Sequence, residues 1–136
     1  MRSLSLCLAA CLMSVPAAAR PPYFVGSWFG MDQPEIKSLM WIVRWQADGT
    51  FRADFRRCRK GKNQDLWSAG SWSAQGKLLT VRTTMVDGKP LAVTDVYEMM
   101  SHDTQRLEYR ELPSRFVYHA SRVADDFKMP SCEMTS

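Results

Sequence analysis

Histidine is scarce in this chain, and so is cysteine outside its first nineteen residues. The 136 residues include two histidines, His102 and His119, and four cysteines, of which only Cys58 and Cys132 lie beyond residue 19. No pair of these stands at the spacing that holds a zinc ion, so neither a metal nor another cofactor is expected. His-Glu-x-x-His, nucleophile-elbow and glycine-rich phosphate patterns are all missing, and the chain is not expected to be an enzyme. Scattered carboxylates such as Glu98, Glu108 and Glu111 read as outward-facing strand charges. Excess charge is lacking too: 18 Lys and Arg against 14 Asp and Glu give +4, too little for a nucleic-acid footprint. Long apolar runs occur only at the N-terminus, and the 3.6-residue period of an amphipathic helix is nearly absent.

What is present begins with that N-terminal run. Arg2 supplies a positive start, residues 4–15 an apolar core, and Ala17, Ala18 and Ala19 a small-residue cleavage site. This is the pattern of a signal peptide over 1–19, and it is too short for a spanning helix, which needs about 20 apolar residues. A second reading takes Leu8-Ala9-Ala10-Cys11 as a lipoprotein box that leaves a lipidated Cys11. The signal-peptide reading gives a periplasmic or secreted protein with one small domain over 20–136; the alternative is a lipoprotein anchored at Cys11. Without Arg2 the balance is 17 Lys and Arg against 14 Asp and Glu, a net +3. In an oxidising compartment the remaining even pair, Cys58 and Cys132, reads as one disulfide.

Period-two alternation then recurs along the domain. Leu39, Trp41, Val43 and Trp45 alternate with Met40, Ile42, Arg44 and Gln46. Past Asp48-Gly49, a hairpin signal, Phe51, Ala53 and Phe55 alternate with Arg52, Asp54 and Arg56. Strict alternation marks half-buried strands. Eight strands are predicted, over 25–31, 39–46, 50–58, 65–73, 77–86, 91–100, 105–112 and 115–123. They are joined by a polar connection over 32–38, a basic loop over 59–63, and turns at Gln75-Gly76, Asp87-Gly88, 101–104 and Pro113-Ser114. A tail follows over 125–136. Eight consecutive strands with short turns form an antiparallel meander, which removes its exposed edges by closing into an up-and-down barrel. A barrel of that size has room for packed side chains or one small ligand.

Three constellations admit both a functional and a structural reading. Trp41, Trp45, Phe51 and Phe55 form either an aromatic wall for an apolar ligand or barrel core. Tyr97, Tyr109 and Tyr118 lie mid-strand on the last three strands. They either orient a polar ligand group or are buried hydroxyls bonded to neighbours. Arg52, Arg56, Arg57, Arg59, Lys60 and Lys62 form either a dock for an anionic membrane surface or acidic protein, or a solvated face. The methionines, Met99 and Met100 among them, suit adaptable packing better than metal chelation.

Gly26-Ser27-Trp28 near the start, the Asp48-Gly49-Thr50-Phe51 hairpin, Gly70-Ser71-Trp72, Tyr109-Arg110 and Arg122-Val123 together resemble small bacterial lipocalin-like domains. The resemblance covers most of the domain in layout, on short motifs. It implies a calycin-type barrel whose floor is plugged by Trp28 with Arg122 stacked across its ring. It often implies a hydrophobic ligand, here set among Trp41, Trp45, Phe55, Tyr97, Tyr109 and Tyr118. The last strand has no Arg-x-Tyr pair of the kind that holds a carboxylate in fatty-acid-binding proteins. A filled barrel acting through its basic surface, as an envelope partner or inhibitor, is the alternative expectation.

Overall fold

The computed structural model describes residues 22–31 and 37–134. The signal-peptide and lipoprotein readings, and most of the 32–38 connection, lie outside the described residues. The eight strands are β1 (Gly26–Met31), β2 (Leu39–Trp45), β3 (Thr50–Arg59), β4 (Lys62–Gln75), β5 (Leu78–Val86), β6 (Lys89–His102), β7 (Arg106–Leu112) and β8 (Val117–Val123), followed by a single 3-10 turn at Cys132–Met134. Each strand pairs antiparallel with the next, and β1 pairs with β8, so the sheet is a closed up-and-down barrel. Fold class and strand count are those the alternation predicts.

The strand limits differ where turn chemistry is tighter than the local composition suggests. The expected basic loop over 59–63 is a two-residue turn, with Lys60 and Gly61 both at positive φ (53° and 72°). Such a turn matches the twist of its flanking strands, so β3 and β4 pair up to Arg59 and Lys62. Asp87 and Gly88, at φ 48° and 78°, let β6 begin at Lys89, two residues earlier than expected. Pro90 is accepted there because it sits beside a register shift between Thr83 and Met85. At the start of β8, Arg115 has φ 66° and belongs to the preceding turn.

One end of the barrel is plugged. Trp28 is fully buried and its Nε1 donates to the Phe24 carbonyl at 2.8 Å. The Arg122 guanidinium lies over the Trp28 ring, 4.4 Å from its centroid. It also donates to the carbonyls of Tyr23 (2.7 Å), Val25 (3.0 Å) and Thr104 (2.8 Å). Gly26, at φ 129°, leaves room for it: a Cβ there would stand 2.5 Å from Arg122 Nη1. The second Gly-Ser-Trp serves the same end. Trp72 packs edge-on against Phe24 at 5.0 Å and its Nε1 reaches the carbonyls of Gln46 and Thr50, each at 3.0 Å.

β2 is buried on both faces, not one. Met40 and Ile42 face away from the barrel interior yet are 3% and 2% exposed. The tail lies across the outside of β1, β2 and β3. Asp125 accepts from Ser27 Oγ at 2.8 Å, Phe127 packs on Phe29 at 5.2 Å, and Arg44 donates to the carbonyls of Asp125 and Phe127. Farther along, Arg56 donates to the carbonyls of Met129 and Pro130, both at 3.1 Å. The tail ends in a disulfide between Cys58 and Cys132, whose Cα atoms are 5.3 Å apart.

Candidate functional site: an aromatic cavity at the open end

Alternation sends Trp41, Val43, Ala53, Phe55, Val81 and Tyr109 inward, above the Trp28 floor. They leave a cavity of about 220 Å³ that opens at the opposite end of the barrel. Trp41, Trp45, Phe55, Tyr97, Tyr109 and Tyr118 all line it. Wall and core prove to be the same residues seen from two sides. Trp41 is only 5% exposed and packs into the core, yet one edge faces the cavity. Trp45 lines the lower end, where it meets Phe24 at 6.0 Å and Phe51 at 5.4 Å.

The tyrosines form a contiguous row across β6, β7 and β8. Tyr97 meets Tyr109 edge-on at 5.3 Å, and Tyr109 stacks on Tyr118 at 5.5 Å. Trp41 approaches Tyr109 at 6.3 Å from the other side. The hydroxyl of Tyr118 donates to Glu111 at 3.0 Å. Glu111, expected to face outward, shares the inner face of Leu107 and Tyr109, because the two-residue period that turns Tyr109 inward turns Glu111 with it. Burial, then the neighbouring Tyr97, Tyr118 and Glu111, pushes the Tyr109 hydroxyl well above its usual value.

Sequence reasoning passed over the polar wall residues Ser68, Thr83 and Asp95. Asp95 was readable, since it stands two residues before Tyr97 and a strand repeats its facing every second residue.

The basic stretch is divided by the fold. Arg52 pairs with Asp54 at 3.1 Å and lies over the Trp67 ring at 4.6 Å. Arg56 pairs with Asp65 at 2.8 Å besides holding the tail. That contact raises the Arg56 pKa and lowers that of Asp65, in both cases chiefly through the hydrogen bond. Arg57, Arg59, Lys60 and Lys62 are exposed at the open-end hairpin. His102 stacks on Tyr23 at 3.6 Å near the plugged end, and His119 lies on the outer face, 3.7 Å from Glu108. Glu98 faces outward beside Arg110, at 3.8 Å. Among the described residues no group of three His, Cys, Asp or Glu is placed to hold a metal.

A closed eight-stranded antiparallel barrel, plugged at one end and open at the other into an aromatic cavity, defines an architecture compatible with the lipocalin-like fold. Compared with known proteins, the chain matches no family model, no curated protein and no solved structure. The disulfide fits an oxidising, extracytoplasmic setting.

Proposed function

We propose that the protein is an exported, periplasmic or secreted, carrier of one small hydrophobic or amphipathic molecule, and that it works by binding rather than catalysis. The observation that carries this reading is the open, aromatic-walled cavity above the Trp28 floor. A barrel that served only as a scaffold gains stability by filling such a space, since cavities lower stability in proportion to their volume. Its size, about 220 Å³, lies below the roughly 300–1,000 Å³ of sites for drug-sized ligands, which favours a ligand of one or two rings or a short chain.

The alternative, a docking module with a basic face, loses support from the pairing of Arg52 and Arg56 within the fold. Native mass spectrometry of protein purified from an exporting cell tests the carrier reading. The expected result is an added mass that is lost on denaturation, or saturable and competable uptake of a fluorescent hydrophobic probe. A bare mass together with no saturable uptake overturns it.

A further inference from the structure

The wall of the cavity carries a charge of one sign only. Asp95 lines it, and none of its described lining residues is basic. The basic side chain of Arg57 stands outside, exposed at the lip beside Leu39 and Phe55. Asp95 is half-buried, on the same face of β6 as Tyr97, and its side chain makes no hydrogen bond or ion pair among the described residues. A carboxylate set in an apolar wall without a partner is unfavourable unless something compensates it. The other described carboxylate on the barrel's inner face, Glu111, has a partner in Tyr118.

The rest of the wall is suited to the same charge. Trp41, Tyr97, Tyr109 and Tyr118 form one continuous aromatic surface. Aromatic faces attract cations through their ring quadrupole, most strongly where water is excluded. A tyrosine hydroxyl is protonated at neutral pH by its ordinary value near 10, and burial raises that of Tyr109 further, so the row adds no second negative charge there.

We infer that the cavity takes a small organic amine, whose protonated nitrogen meets the Asp95 carboxylate while its apolar part lies against Trp41 and the tyrosine row. This rests on the carrier reading and gives it a ligand class. The same wall disfavours a carboxylate held inside it, whose charge would face Asp95 with no cation among the described lining residues to offset it.

Three probes of near-equal shape separate the possibilities: 2-phenylethylamine, 2-phenylethanol and 3-phenylpropanoate, titrated by calorimetry into the disulfide-bonded protein at pH 7. An ion pair with Asp95, which the neutral alcohol cannot form, should make the amine bind about tenfold or more tighter than the alcohol. The carboxylate should bind weakest. Asp95→Asn should remove the advantage of the amine and leave the alcohol unchanged. Asp95→Ser, smaller and also neutral, should do the same, and a matching thermal midpoint shows each variant folded. An amine no tighter than the alcohol, or unmoved by both substitutions, overturns the amine inference while leaving a carrier. Failure of all three probes together with a hydrophobic dye overturns both readings.

Discussion

Gly30 lies flat against the indole of Trp41, so close that a Cβ on Gly30 would fall inside the ring's contact distance. The two are register partners across β1 and β2, and Trp41 is a wall of the cavity. Gly30→Ala must therefore push the indole toward the cavity or open the β1–β2 pair. The expected effect is a destabilisation of about 1–3 kcal/mol, as for other overpacked cores, with a blue or red shift in tryptophan emission. Chemical denaturation followed by fluorescence measures both. An unchanged midpoint and spectrum would show that the indole is free to move.

The floor should be the most sensitive part of the core. Trp28→Ala removes a fully buried indole and the platform under Arg122, at an expected cost of about 3–5 kcal/mol. Arg122→Ala leaves three carbonyls without their donor and should cost less, roughly 1–3 kcal/mol. Urea midpoints of the two variants give the order, and a costlier Arg122→Ala would contradict it.

The disulfide closes a span of 74 residues. In the chain-entropy model that contributes about 4 kcal/mol. A Cys58→Ser, Cys132→Ser double variant should lose stability of that order in thermal or urea unfolding. Non-reducing peptide mapping of exported protein should recover the two cysteines in one linked fragment; free thiols there would remove the premise.

Arg56 should behave differently from its neighbours in the basic stretch. It holds Asp65 and two tail carbonyls, whereas Lys60 sits exposed in a turn. Because Asp65 is largely exposed, its ion pair is discounted for solvent, and Arg56→Ala should cost about 1–2 kcal/mol, mostly from the carbonyl bonds. Lys60→Ala should be close to neutral. Equal effects in parallel melts would mean that the tail contacts contribute nothing.

Tyr109 sets an alkaline limit. Its pKa is raised in the folded state, chiefly by burial, so the folded protein holds the phenolic proton more tightly than the unfolded chain does. Its stabilising contribution is fully present below the unfolded value, near 10, and is lost as pH rises through the folded one. Tyr109→Phe should flatten the fall in stability between about pH 9 and 11. Urea midpoints across that range measure the slope, and parallel slopes in the two proteins would assign the loss to other groups.

Most of the barrel was legible because strands announce themselves twice, by alternation and by turn residues. Leu39 to Trp45 and Phe51 to Phe55 show both, and their pairing follows. The hairpin at Lys60-Gly61 was hidden because lysine gives no sign of a left-handed backbone; only the glycine beside it hinted at the turn. Burial of Ile42 was not legible, since the covering tail comes from more than eighty residues away and has no apolar period of its own. In the cavity, the aromatic residues were found by size and chemistry. Asp95 was missed because a charged residue on a strand is by default placed on the solvent face.

The pairing between β1 and β8 joins three residue pairs, against ten between β3 and β4. That junction is the seam of the cylinder, the place where it would unroll into an open sheet. The chain leaves β8 at the seam, crosses it at Ser27 and Phe29, continues over Arg44 and Arg56, and is fastened covalently at Cys58. The C-terminal segment is thus a hoop drawn over the weakest joint and locked by oxidation. A newly made chain in a reducing compartment would lack the lock, so the barrel would become a durable container only where disulfides persist.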